Sequence, residues 1–257
     1  MIVRDTGTHF VLIEQHHHAA VAREIMEKWQ GILWEASSVY DSVLYAIEQH
    51  DRAWRLFDVE PFWDDAKQAP YQFTDFPNAA KIVMYTKGID EVEQVDAYAA
   101  VLCSKHYASF LEKNPDPEAV AFVSAEQERQ QRLLQELNLL SSNHAAEHLA
   151  LLKLADNVSL YLCLNHPGAT KEDEHFFFKN GIPAASTVAD WHPEVEKLAA
   201  RWKNKNTIEI GDIPQVAPFS VSLQEKRVEK NRVAEKGLLK AYTEASYQMN
   251  EVHFAIN

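Results

Sequence analysis

Apolar residues recur with helical spacing through the first two thirds of this chain and alternate like strands near its two ends. Residues 2–3 and 10–13 are apolar and flank a turn carrying Asp5-Thr6-Gly7, which predicts a β-hairpin. From residue 15 the period lengthens. His18, Val21, Ala22, Ile25 and Trp29 share one face, so the spacing predicts a helix over 15–34. A second helix is expected over 39–54. Residues 57–77, rich in Pro, Asp and aromatic side chains, read as a long loop of the kind that often serves function. A short helix at 79–86 and a strong helix over 94–113 follow, the latter stopped by Asn114-Pro115-Asp116-Pro117. Ser124 and Gln127 have capping-box spacing and start a helix running to about residue 140. Ser141-Ser142-Asn143 kinks or restarts the pattern, and a helix over 144–164 ends at Asn165-His166-Pro167-Gly168.

After residue 166 the character changes. One amphipathic helix is expected over 189–203, with Val195, Leu198, Ala199 and Trp202 on a shared face. Residues 207–210, 219–223, 238–242 and 252–256 resemble strands separated by polar turns. These elements predict a mostly α, α+β fold. A helical bundle covers about 15–165, and a C-terminal α/β extension covers about 166–257. Its small antiparallel sheet takes in the N-terminal hairpin, because an isolated hairpin is marginal in water. The whole of 1–257 is expected to be a single domain.

Composition narrows the function. Hydrophobic residues make up 46% of the chain, with 12 Phe, 9 Tyr and 6 Trp, which is ample for a core and argues against disorder. With 7 Gly and neither a GxGxxG nor a GxxxxGK[ST] pattern, a Rossmann or P-loop nucleotide site is not expected. The formal charge of −13 repels nucleic-acid backbones and anionic lipid, so neither is an expected partner. An anionic small molecule would need a bound cation to attract it. Cys103 and Cys163 sit in apolar segments and read as reduced, buried residues. The N-terminal segment lacks the pattern of a signal peptide, and no run approaches 18 apolar residues, so the cytoplasm is the expected compartment. An oligomer remains open.

Four predicted helices place ionisable groups on their apolar faces. They are His18, then His50 and Asp51, which follow Val43, Leu44, Ala46 and Ile47, then His106 after Ala99 and Leu102, and Asp156 between Leu149, Leu152, Leu160 and Cys163. A lone core histidine is usually satisfied by a carbonyl. A lone buried carboxylate is costly. Several of both in one bundle satisfy each other best through a cation. Imidazole and carboxylate together suit Fe, Mn, Ni, Co or Zn, as one or two ions. Such an ion acidifies water and polarises a phosphoryl or carbonyl oxygen, which makes a metal-dependent hydrolase the leading expectation. His148, at i+4 from His144 and two turns before Asp156, is a candidate for a further metal position; the alternative for both histidines is a solvated face beside Glu147. Arg52 and Lys105 are candidate anion holders, and Asp58 is a candidate proton shuttle. Their ordinary alternatives are a surface ion pair and a turn residue. Trp54, Trp63, Tyr71, Phe73 and Phe76 form either an aromatic lid or packing under the loop. His17 shares a face with Glu24 and Lys28, and His16 follows the hairpin, so neither is assigned a role.

The order His18, His50-Asp51, Asp156 resembles the four-part motif of the HD-domain superfamily of metal-dependent phosphohydrolases. In that superfamily an intervening histidine such as His106 often helps hold a second metal. The resemblance implies an HD-type bundle, a phosphohydrolase acting on a small anionic phosphoester, and His18, His50, Asp51 and Asp156 as ligands. It also admits an HD-type diiron oxygenase, which requires His148 to point inward, or a non-catalytic metal-stabilised binding protein. The superfamily often continues its His-Asp with an apolar residue, Gly and Lys, whereas Arg52-Ala53-Trp54 follows here, so nucleotide-type phosphate contacts are not implied. The segments IEQHHHA, EQHDRAW, LCSKHY and LADNVSLYLCLNHPG are also similar to an uncharacterised bacterial family of this length.

Overall fold

A computed structural model describes residues 1–29, 39–140, 144–184, 196–211 and 217–256. Its N-terminal hairpin consists of β1 (Ile2–Asp5) and β2 (His9–Ile13), paired from Ile2–Ile13 to Asp5–Phe10. Gly7 supplies the positive φ of +85° that the turn requires. The helices are α1 (Gln15–Lys28), α2 (Tyr40–Gln49), α3 (Arg55–Val59), α4 (Asn78–Glu93), α5 (Ala97–Leu111), α6 (Pro117–Glu136) and α7 (His144–Leu164). A 3-10 turn, Arg52–Trp54, joins α2 to α3. Two-residue strands β3 (Trp63–Asp64) and β4 (Ala69–Pro70) pair within the stretch expected to be loop. Beyond α7 come β5 (Ile182–Pro183), β6 (Lys197–Leu198), β7 (Ala200–Asn204), β8 (Thr207–Ile210), β9 (Phe219–Glu229), two short helices Lys230–Lys236 and Leu238–Glu244, and β10 (Tyr247–Ile256).

The expected mostly α bundle with a small antiparallel sheet is overturned. The chain builds a six-stranded sheet in the order β1-β2-β9-β10-β8-β7, curled like half a barrel. It is mixed: β10 runs parallel to β8 and antiparallel to β9. Its extent was hidden because β9 continues through Gln224-Glu225-Lys226-Arg227, which reads as a polar turn. Yet Glu225 and Lys226 are buried, Glu225 against Arg4, and Lys226 donating to the Tyr242 carbonyl at 3.1 Å. β2 pairs with β9 from His9–Glu229 to Leu12–Lys226, which carries the hairpin into the C-terminal sheet.

Local readings fail where two periods compete. Within the helix expected over 189–203, residues 189–195 lie outside the described residues, and Leu198, Ala200 and Trp202 alternate inward in β6 and β7 while Ala199, Arg201 and Lys203 face out. That is a period of two, not 3.6. Conversely, Leu238, Ala241 and Tyr242 are buried at i, i+3 and i+4, so 238–242 is helical rather than a strand. The start of α6 is not at Ser124 but at Pro117, where the Asp116 carboxylate accepts from the Glu118 amide at 3.1 Å. α4 is twice the expected length, because Gly88 permits close packing instead of ending it. A Cβ at Gly88 would lie 2.7 Å from the Ala53 backbone. The 141–143 break and residues 30–34 of the first helix lie outside the described residues.

One apolar core spans helices and sheet: Ile25, Ile47, Leu102 and Leu152 belong to the same cluster as Ile208, Val221 and Phe254. Within it α1 packs against α2 and α7, and α5 packs against α2 and α7. These four helices bring the ionisable groups together.

Candidate metal centre

α1 contributes His18, the end of α2 contributes His50 and Asp51, α5 contributes His106, and α7 contributes Asp156. Consecutive residues on an α-helix point about 100° apart. His50 keeps helical angles as the residue that caps the C-terminus of α2, whereas Asp51 swings to φ −110°, ψ 22° to start the 3-10 turn. The change of helix type lets both neighbours face the same centre. All five side chains belong to buried residues, from 0% exposure for His18 and His50 to 8% for Asp156.

The groups form a chain of near contacts. His18 Nε2 lies 2.7 Å from Asp51 Oδ2, and His50 Nε2 lies 3.7 Å from that oxygen. His50 Nε2 is also 3.4 Å from Asp156 Oδ1, and His106 Nε2 is 3.8 Å from Asp156 Oδ2. The His50 ring stands edge-on to those of His18 and His106, with centroids 5.0 and 5.2 Å away. Backbone and hydroxyl groups behind the rings set their tautomers. His50 Nδ1 donates to the Ile47 carbonyl at 2.6 Å, which leaves Nε2 as the inward lone pair. His18 Nδ1 meets Ser159 Oγ at 2.9 Å, and that hydroxyl donates to the Asp156 carbonyl at 2.9 Å, so it accepts from the imidazole.

Electrostatics favour a cation here. Burial works against the charged form of Asp156, but His50, His106 and His18 outweigh it and hold its pKa at about 2. Burial likewise opposes ionisation of Asp51, and His50 and His18 keep its carboxyl below the usual range. For His50, burial is overcome by Asp51 and Asp156, which raise its pKa to about 9. Burial dominates at His106 and pulls it down to about 4, against the attraction of Asp156. Two buried carboxylates thus face a neutral His106 and a His50 whose second proton, at Nε2, is held by those carboxylates with help from the Ile47 carbonyl; a cation at Nε2 would take that proton's place.

The donors fit a transition metal. One ligand atom each from His18, His50 and Asp156 lie within 4.8 Å of one another, and so do those of His50, Asp51 and His106. An ion about 2.1 Å from each ligand keeps its ligands roughly 3–4 Å apart, close to the 3.4–3.8 Å separations above. Nε2 of His50 is buried with no hydrogen-bond partner although two carboxylates face it, as a ligand atom would be. Nδ1 of His106 is also buried and unpartnered.

Other sequence candidates are placed elsewhere. Asp58 is fully buried, but it holds the Met1 ammonium at 2.5 Å and accepts from the Gln15 amide at 2.5 Å, which caps α1. Those bonds anchor the start of α1 to α3. Arg52 is tied to Glu91 at 2.6 Å and bonds Gln49 at 3.3 Å. Lys105 is half-buried beside His106. His148 is buried, but two turns up α7 from Asp156, about 12 Å along the axis. Its Nδ1 meets the Tyr98 hydroxyl at 2.7 Å, and it is not among the groups that converge. His144 is exposed near Glu147. The aromatic residues pack rather than cover the centre: Trp54 against Phe76 and Tyr85, Tyr71 against Phe76, Trp63 against Phe10, and Phe73 against the core.

Sequence reasoning missed Ser159, although its position three residues after Asp156 puts it on the same face. It also missed a cavity of about 360 Å³ that takes in Ala53, two residues past Asp51, with Arg52, Arg55 and Lys87 facing Glu60 and Glu91 in its wall. Arg55 follows Arg52 at i+3, a spacing that could have exposed it.

The centre and its setting define a protein of mixed α and β structure with a buried His/Asp cluster able to hold a metal ion. The chain belongs to DUF3891, described as a family of proteins of unknown function, which it matches over residues 1–230, a range that includes the cluster. No curated protein and no solved structure matches it. Among the described residues, no helix is long and apolar enough to cross a membrane.

Proposed function

We propose that the cluster holds one or two divalent transition ions and that the protein is an HD-type metal-dependent hydrolase acting on a small anionic phosphoester. The observation that carries this reading is the convergence of His18, His50, Asp51, His106 and Asp156, with His50 Nε2 buried, unpartnered and turned toward two carboxylates. The order of these residues along the chain, similar to that of HD phosphohydrolases, supports it. A bound ion would supply Lewis acidity at a phosphoryl oxygen and acidify its water. The chain's own part is to orient and to hold. Ile47 and Ser159 fix the tautomers of His50 and His18, and the helix packing keeps the carboxylates dry. The cavity beside the His-Asp turn carries Arg55 and Lys87 as well as Arg52, which Glu91 already engages, and Glu60 and Glu91 on the same wall leave it a small positive excess for an anionic group. The diiron oxygenase reading draws less support, since His148 lies two turns along α7 from Asp156 and is not among the groups that converge.

The test is phosphate release. Chelator-stripped protein reloaded with Mn²⁺, Ni²⁺, Co²⁺ or Fe²⁺ is assayed against a panel of small phosphoesters with and without oxygen. Turnover with at least one ion, independent of oxygen, is expected. Oxygen consumption that depends on iron alone, or metal-loaded protein that hydrolyses nothing in the panel, would overturn the reading.

A further inference from the structure

We infer a second metal site, independent of the first, formed by Glu14, His16 and His17 at the start of α1 and suited to an imidazole-preferring transition ion. One ligand atom from each of the three lies within 4.8 Å of the others. Glu14 is 2% exposed, and its Oε2 is 3.4 Å from His16 Nδ1. The Nδ1 atoms of both His16 and His17 are buried without a hydrogen-bond partner, and the two rings lie 4.1 Å apart. Two adjacent imidazoles, each hiding an unsatisfied nitrogen beside a buried carboxylate, are an expensive arrangement unless something binds them.

The surroundings orient the donors. Glu14 Oε1 accepts from the Tyr242 hydroxyl at 2.6 Å and also from Tyr247, which turns the other oxygen toward His16. Such outer hydrogen bonds commonly fix a ligating carboxylate. Tyr247 also stands edge-on to His17, with centroids 5.4 Å apart. The site therefore joins the first turn of α1 to the C-terminal sheet, away from the face that carries His18.

Charge decides which ion fits. Lys226 sits over the rings of Tyr242 and Tyr247 at 4.1 and 4.4 Å, and Arg55 acts on both histidines from nearby. With one carboxylate and cationic neighbours, this site offers little to Mg²⁺ or Ca²⁺, which bind mainly through oxygen charge. Two imidazoles suit Zn²⁺, Co²⁺ or Ni²⁺. Three protein donors leave a coordination position open, and His16 keeps 30% of its side chain exposed.

The experiment uses the full chain, stripped with chelator and titrated with Zn²⁺ or Co²⁺. Bound metal is counted by elemental analysis, and Zn²⁺ is located by anomalous scattering. Two sets of sites are expected. The His16→Ala/His17→Ala double variant should lose the metal at α1 and keep that of the helical cluster. The Asp51→Asn/Asp156→Asn double variant should do the reverse, so failure of this inference is separable from failure of the first centre. Tyr242→Phe with Tyr247→Phe should weaken the site by about 10–100-fold without removing a ligand. The inference is overturned if Asp51→Asn/Asp156→Asn protein with native circular dichroism binds no Zn²⁺, or if Zn²⁺-soaked wild-type crystals show no anomalous peak between Glu14, His16 and His17. The second criterion decides the matter even if a double variant fails to fold.

Discussion

α1 presents histidines to two different environments. On one face, His18 meets groups from the end of α2 and from α7, all of them buried and up to 141 residues away along the chain. On the other, His16 and His17 meet Glu14, two and three residues back, and lean on a sheet that comes from the other end of the sequence. The first cluster exists only when four helices are packed, so whatever binds there is coupled to the whole fold. The second draws its donors from one turn of chain and needs tertiary structure only to aim them. The difference teaches that affinity for an ion at the helical cluster would report global order, whereas affinity at the start of α1 would report local geometry.

That contrast breaks first at Asp51. Asp51→Asn keeps the side-chain volume and removes the charge that faces His18 and His50. Metal affinity of the cluster should fall by more than about 100-fold, and turnover with it, while the circular dichroism spectrum stays native. Full metal occupancy by elemental analysis would make Asp51 structural. Ser159→Ala probes the layer behind the ligands. Loss of the hydroxyl frees the His18 ring, and calorimetric metal affinity should fall by about 10–100-fold with little change in melting temperature. An unchanged affinity would mean that the His18 tautomer is set from elsewhere.

Gly88→Ala tests the coupling to the fold without touching a ligand. The new methyl meets the Ala53 backbone directly behind the His-Asp turn. Overpacking of this kind costs about 1–3 kcal/mol, against roughly 1 kcal/mol returned by the better helix propensity of Ala. A lower melting temperature is expected, with a smaller loss of metal affinity than for Ser159→Ala; a more stable variant would show that the turn yields freely. The smallest effect on metal belongs to His148→Ala. It breaks the hydrogen bond with Tyr98 and should cost about 1–2 kcal/mol of stability, while metal content stays at the wild-type level. Loss of one ion per chain would place His148 in a dinuclear centre.

Much of the helical cluster was legible because helical spacing against apolar neighbours points a side chain inward wherever the helix ends. His18, His50, His106 and Asp156 needed only that, whereas Asp51 faces the centre through the switch to a 3-10 turn, which the spacing did not foretell. The second site escaped because His16 and His17 are judged by their own helix face, while their partners Tyr242 and Tyr247 come from segments more than 220 residues away. One of those segments, 238–242, was read as a strand. The extent of the sheet escaped for a related reason. Arg4, Glu225 and Lys226 are charged residues that neutralise one another or cap carbonyls inside the structure, and a sequence reading assigns such residues to the surface. Asp58, expected at a loop start, lies instead in α3, where its carboxylate meets the Gln15 amide and the Met1 ammonium.

The pairing of β2 with β9 also sets the order in which the protein can be made. β2, the apolar run His9–Ile13, finds its partner between Lys226 and Glu229. At ribosomal speeds of about 5–20 residues per second, that partner emerges roughly 10–40 s later. Throughout that interval one long edge of the hairpin is open, uncharged at Phe10-Val11-Leu12-Ile13, and free to pair with another nascent chain. The same topology makes the native contacts of high sequence separation slow to form. The hazard to this protein is therefore concentrated in its synthesis: slowing translation or lowering temperature during expression acts on the open β2 edge, while the finished sheet covers that edge with β9.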